Sequence, residues 1–204
     1  MKRISFKDSG GLNLTQAVLD GRKTMTRRVV GESMWDKWSN YDDFCSSVSI
    51  GDISPSRQYY DYEEFFRDNS PYKVGDVVAI QQAYNTFSSI RDVRAVRAAF
   101  EHTAGYTNKM FVKAKFMLHH IRITDVRVEW LQDISDEDCP REGVSPVWDV
   151  ATEPHQINGY YFAGAYSVYD TPSKAFTALI DKVSGRGTWD SNPLVWVYSF
   201  ELVD

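Results

Sequence analysis

The chain has 204 residues, of which 43% are hydrophobic and 14% aromatic, and its 23 Lys and Arg against 28 Asp and Glu give a formal charge of −5. That composition supplies one full core and excludes a disordered chain, and the length is short for two ordinary domains. The acidic balance excludes a protein that coats long nucleic-acid duplexes through charge alone, and no run approaches the ~20 apolar residues of a membrane span.

Residues 2–6 alternate, with Ile4 and Phe6 opposite Arg3 and Ser5, which predicts a short strand. No apolar run follows the charged start, so no signal peptide is expected and the protein is read as cytoplasmic. Gly10-Gly11 is a turn, and Leu12, Leu14, Ala17 and Val18 fall near helical spacing before Gly21, a C-terminal cap. The next stretch, Gly21-Arg22-Lys23-Thr24-Met25-Thr26-Arg27-Arg28, reads as a strand that leaves this helix. Its cations suit an anionic ligand, Arg as a planar fork and Lys as a mobile point charge. Thr24 and Thr26 add hydroxyls that can donate, accept or, beside a base, attack. Residues 2–30 carry Lys2, Arg3, Lys7, Arg22, Lys23, Arg27 and Arg28 against Asp8 and Asp20 alone, whereas residues 31–70 are strongly acidic. Such asymmetry predicts a local positive site on an acidic body, fitted to a small anion or a few nucleotides.

Residues 31–72 scatter Trp35, Trp38, Tyr41, Phe44, Tyr59, Tyr60, Tyr62, Phe65 and Phe66 among acids and serines without a clean period. They are read as an aromatic-pinned insertion covering one side of the core, with a lid, a base-stacking platform or a protein-partner surface as alternatives. Residues 77–80, apolar on both faces, predict a central strand after the Gly75 turn. Residues 84–109 are read as irregular, with a short basic helix around Arg91, Arg94 and Arg97, and residues 110–115 alternate as a strand. Residues 121–126 form another, with Ile121, Ile123 and Asp125 on one face and Arg122, Thr124 and Val126 on the other. His119 and His120 are adjacent and point to opposite faces of such a strand, and Cys45 and Cys139 match no zinc spacing; neither a metal nor another cofactor is expected.

Ser135-Asp136-Glu137-Asp138 is a capping signature, and Pro140 keeps the helix it starts short. Residues 145–170 form a Gly- and Tyr-rich excursion, read as a hairpin or loop. The clearest helix follows: Thr171 caps it, Pro172 takes its first turn, Phe176, Leu179, Ile180 and Val183 mark one face, and Gly185 stops it. Residues 194–202 are a core strand. This inventory predicts an α+β domain spanning residues 1–204, a small mixed β-barrel with short helices at its rim and long insertions near 31–72, 84–109 and 145–170.

The pieces from Ala17 through Arg28, from Val74 through Ile80, from Ile123 through Ser135 with Glu142-Gly143-Val144, and from Trp189 through the terminal strand resemble the ASCH family. They cover roughly half the chain, and the pattern is similar to bacterial phage and prophage members. The resemblance implies a PUA-like barrel and two functions. Most members are proposed to bind RNA, whereas some small bacterial members are amidohydrolases that remove acetyl from 4-acetylcytidine. On the family's motif Lys23, Thr26 and Glu142 match the catalytic residues, while Arg22, Thr24, Arg27 and Arg28 are the candidate contacts to RNA or a nucleotide. In that chemistry Thr26 attacks, Lys23 serves as base if nearby Arg22, Arg27 and Arg28 depress its pKa, and Glu142 positions water or carries the proton. Lys23 and Thr26, three apart, face opposite sides of a regular strand, so their convergence requires a distorted corner. Pro140 and the size of the insertions set this chain apart from the small amidohydrolases.

Overall fold

The computed structural model describes residues 1–47, 61–87, 93–151 and 153–204. Its centre is a five-stranded mixed sheet built from β1 (Arg3–Ile4), β2 (Met25–Val29), β3 (Val77–Ile80), β4 (His120–Trp130) and β7 (Leu194–Leu202), in the order β1-β3-β4-β7-β2. Only β1 and β3 run parallel. The terminal strand sits between β4 and β2, and every residue from Leu194 to Phe200 is buried. The two-stranded sheet of β5 (Val144–Asp149) and β6 (Gln156–Phe162) is the hairpin alternative for residues 145–170.

Ladder register sorts the side chains. Tyr198 pairs with Thr26 and Val126, and Trp196 with Arg28 and Val128, so these share one face. Val197 pairs with Arg27 and Arg127 on the other. The expected alternation of β4 breaks at a bulge between Ile123 and Asp125, where Thr124 is the extra residue. It returns Val126 to the face of Ile123, correcting the reading that set them on opposite sides.

The described residues of the 31–72 stretch form a cover that is largely helical, with α2 (Glu32–Ser47) and α3 (Tyr62–Asp68). Trp35, Trp38 and Tyr41 ring Phe65 and Phe66, with centroid separations from 4.7 to 6.2 Å, and so seal the apolar side of an otherwise polar helix. Trp196 Nε1 donates to the Phe66 carbonyl at 2.7 Å, and the Ser70 and Tyr198 hydroxyls meet at 2.7 Å, which ties the cover to the sheet. Tyr59 and Tyr60 lie outside the described residues. Since the Phe66 side chain is fully buried among these rings, Phe66→Ala is expected to cost about 3–5 kcal/mol in urea unfolding. A loss below 1 kcal/mol would mean that the cover does not stabilise the sheet.

The opposite face carries α6 (Pro172–Ser184), which packs on the hairpin. Thr171 Oγ1 caps it by accepting from Lys174 N at 3.2 Å, and Lys7 Nζ donates to the Lys182 and Val183 carbonyls at its C-terminal end. A second small core joins Tyr84, Phe87, Val96, Val112 and Met117, with α4 (Val93–Phe100) supplying the basic helix expected near Arg94 and Arg97. Arg91 lies outside the described residues.

One further expectation changes. Residues 110–115 are not a strand but straddle two 3-10 turns, Lys109–Phe111 and Ala114–Phe116. Their backbone groups bond to side chains instead of a neighbouring strand: Gln81 Nε2 donates to the Lys109 carbonyl at 3.0 Å, and Lys113 N donates to the Tyr84 hydroxyl at 2.8 Å. β3 is an interior strand between β1 and β4, as expected, although its first residue, Val77, is exposed.

Among the described residues the sheet is open, with β1 and β2 at its edges, so no closed barrel forms. It nevertheless curls. Arg28 of β2 reaches across to donate to the carbonyl of Ser5, which follows β1, and its guanidinium lies 5.8 Å from the centroid of Phe6. A side chain, not a ladder, spans the gap between the edges.

Candidate active-site cleft

A cleft of about 1300 Å³ runs along the open edge of β2. One wall is residues 5–9 beyond β1, another is the Phe176, Leu179, Ile180 and Val183 face of α6, and residues 107–110 close a side. Because β2 is an edge strand, side chains from both of its faces border this space: Thr26, Arg27, Arg28 and Val29 all line it.

Lys23 sits before the strand, in the corner that follows α1 (Leu14–Leu19). Gly21, at φ +72, makes the turn, and Lys23 N donates to the Ala17 carbonyl at 2.9 Å. Thr24 N donates to the Arg141 carbonyl at 2.9 Å, which docks the corner on α5 (Asp138–Arg141). Pro140 is compatible with so short a helix, because it occupies the first turn, where an N–H has no intrahelical partner. Glu142 caps the C-terminal end, its N–H accepted by the Asp138 and Cys139 carbonyls at 3.1 Å. The chain then turns through Gly143 at φ +112, where an added Cβ would stand 3.3 Å from Leu14.

This brings Lys23 and Glu142 together. Lys23 is only 3% exposed, and its Nζ donates to Glu142 Oε2 at 2.6 Å and to the Glu142 carbonyl at 2.7 Å. Burial pushes the Lys23 ammonium below its ordinary pKa of 10.5; Glu142 opposes the shift, while Arg28 and Arg27 add to it. Arg22 has no part in this. It is exposed, paired with Asp20 at 2.9 Å, and stands outside the cleft lining. Thr24 likewise acts through its backbone, donating to Arg141 and accepting from Phe200 N at 2.9 Å.

Thr26 is 5% exposed and lines the cleft, and its side chain makes no hydrogen bond among the described residues. Lys23 precedes the regular strand, so strand alternation does not set its face relative to Thr26, and both residues line the cleft. Arg27 is committed internally. Its fully buried guanidinium meets Glu129 Oε1 at 2.6 and 2.9 Å, Asp138 Oδ2 at 3.1 Å and Glu142 Oε1 at 3.1 Å. It therefore holds Glu142 from the side opposite Lys23. Burial opposes its charge, but Glu142 and Glu129 more than compensate and raise its pKa. Arg28 differs: among the described residues it makes no ion pair, its guanidinium donates to the Ser5 carbonyl beside the Phe6 ring, and burial lowers its pKa although Tyr72, Glu142 and Tyr198 oppose the shift.

Asp138, Glu129 and Arg127 complete the network and were not singled out from sequence. Asp138 Oδ2 accepts from Arg127 at 2.9 Å, and its Oδ1 from Arg141 at 3.2 Å. Although burial works against it, hydrogen bonds from Arg127 and Arg27 hold the Asp138 carboxyl below its ordinary 3.8. Arg127 and Glu129, two apart near the end of β4, were legible as a charged pair on one strand face. Gln82 also lines the cleft, and its Oε1 is a buried acceptor that lacks a hydrogen-bond partner among the described residues. No family model, curated protein or solved structure matches this chain. Among the described residues no helix is long and apolar enough to cross a membrane.

Proposed function

We propose that the cleft binds a modified nucleoside or nucleotide and hydrolyses an N-acyl group from it, with Thr26, Lys23 and Glu142 as the working set. The observation that carries this reading is the buried contact of Lys23 Nζ with Glu142 Oε2 at 2.6 Å, in the same cleft as a threonine hydroxyl that makes no hydrogen bond among the described residues. A depressed lysine pKa favours the neutral amine that a base must be, and such a hydroxyl is available to attack. The resemblance to the ASCH family supplies the substrate class. The curled sheet, open where the cleft lies, is consistent with a PUA-like barrel left unclosed between β1 and β2.

In the first step Thr26 Oγ bonds to the acyl carbon, and its proton passes to Lys23 Nζ. The C–N bond then breaks, the leaving amine takes that proton, and the acyl group stays on Thr26 as an ester. Water, deprotonated by Lys23 or Glu142, attacks the ester; the acid departs and Thr26 recovers its proton. Arg27 touches no reacting atom and acts as a positioning residue for Glu142. The unpaired Gln82 acceptor suits an N–H on the edge of a base.

A second reading, RNA or nucleotide binding without turnover, draws on Arg28, a cleft cation that makes no ion pair among the described residues. A protein partner on residues 31–72 gains little from Trp35, Trp38, Tyr41, Tyr62, Phe65 and Phe66, which pack against the core; among the described aromatic residues there, Phe44 is exposed. The test is release of acetate from 4-acetylcytidine by the folded protein. Steady release supports hydrolysis. Silence, with nucleotide or RNA binding that weakens as salt rises, would leave the second reading in its place.

A further inference from the structure

No Asp or Glu occurs between Glu101 and Asp125, although the whole chain carries a charge of −5. Within that stretch the two 3-10 turns that replace the expected strand make a ledge. Val112, 1% exposed, anchors it in the smaller core, so its neighbours turn outward. Met110 is 59% exposed and Phe111 63%, two large apolar side chains side by side on the surface. Lys113 and Lys115 are exposed and form no ion pair among the described residues, and Lys115 Nζ stands 4.9 Å from the centroid of the Phe116 ring, which is 37% exposed and packs on Phe100. The ledge is continuous with the cleft, because Lys109 and Met110 belong to both.

We infer that this ledge holds a single-stranded nucleic acid whose end or looped-out nucleotide enters the cleft, so that the natural substrate is a nucleotide within a strand rather than a free nucleoside. The inference rests on the reading of the cleft as a nucleoside site. Lys109 is paired with Asp8 at 2.6 Å, but Lys113 and Lys115, without counter-charges among the described residues, fit phosphates, and the rings beside them fit unstacked bases, the combination by which single strands are held without sequence readout. A duplex would hide its base faces from Phe111 and Phe116. An acidic peptide would meet the lysines equally well but has no need of exposed rings.

The test uses the full chain and a fluorescently labelled octacytidylate RNA, read by anisotropy, with cytidine monophosphate as competitor. The octamer is expected to bind far more tightly than the mononucleotide, with affinity falling as salt rises. Phe111→Ala, and separately Lys113→Glu with Lys115→Glu, are expected to weaken octamer binding about tenfold or more. The double charge reversal should also flatten the salt dependence by roughly 1.4 in log–log slope. Free 4-acetylcytidine, too small to reach the ledge, is the control substrate, and its turnover should not change in these variants. Equal binding of octamer and mononucleotide, or wild-type octamer affinity in both variants, overturns the ledge even if acetate is released. Ledge-dependent octamer binding by a protein that releases no acetate overturns hydrolysis and leaves the ledge standing.

Discussion

Thr26→Ala is expected to lower kcat for acetate release from 4-acetylcytidine by at least about 10³-fold while leaving KM close to wild type, as removal of a nucleophile does when substrate contacts remain. The structural cost should be small. The Thr26 hydroxyl holds nothing in place among the described residues, and the side chain borders open space on the cleft side. A fall in activity would therefore report chemistry rather than unfolding, and matched urea midpoints would establish this. Thr26→Ser keeps the oxygen and should retain measurable turnover. A folded Thr26→Ala protein working at the wild-type rate would remove Thr26 from the mechanism and turn attention to a water held by Lys23 and Glu142.

What the sequence announced and what it hid divide along physical lines. The α6 helix was readable because all of its signals are local: a capping threonine, a proline in the first turn, a regular apolar face and a terminal glycine. The terminal strand was readable because burial on both faces leaves a continuous apolar run. The helix α2 escaped because none of its residues is fully buried and its acids surround the stripe of Trp35, Trp38 and Tyr41, which leaves a weak period. The ledge at residues 109–116 misled because alternation alone does not create a strand. A strand needs a partner ladder, and here Arg3, Gln81 and Tyr84 take up the backbone groups instead. At the site, the basic corner suggested an anion pocket, but charge along the chain did not reveal which cations were already used. Arg22 is paired with Asp20, Arg27 is enclosed by Glu129, Asp138 and Glu142, and Arg28 is left for the cleft. The meeting of Lys23 with Glu142 spans 119 residues, and only the family resemblance pointed to it.

Glu142→Gln is expected to have the second large effect, and it acts on two observables of opposite kinds. In stability it should cost about 3 kcal/mol, the low end for removing one partner of a buried pair, because Lys23 can shed its proton and Arg27 keeps Glu129 and Asp138. In activity it should shift the pH profile. Lys23 works as a base only when neutral, so the rate rises as pH climbs through its folded pKa, which burial places below 10.5. Glu142 raises that pKa by its charge and by its hydrogen bond. Without the carboxylate both contributions go, and the rising limb of log kcat/KM should move to lower pH even as the maximum rate falls. The same groups fix the sign of the stability change. A lysine whose folded pKa lies below its unfolded value disfavours folding while both states would hold the proton, and the penalty fades as pH rises through the folded pKa towards 10.5. The deficit of Glu142→Gln relative to wild type should accordingly be larger for a lysine kept charged than for one free to neutralise. Lys23→Met in the Glu142→Gln background removes the charge altogether and should recover part of the lost stability without recovering turnover. A Glu142→Gln protein with an unmoved pH limb would show that Lys23 is not the titrating base, and one with wild-type stability would show that the buried contact is not an ion pair.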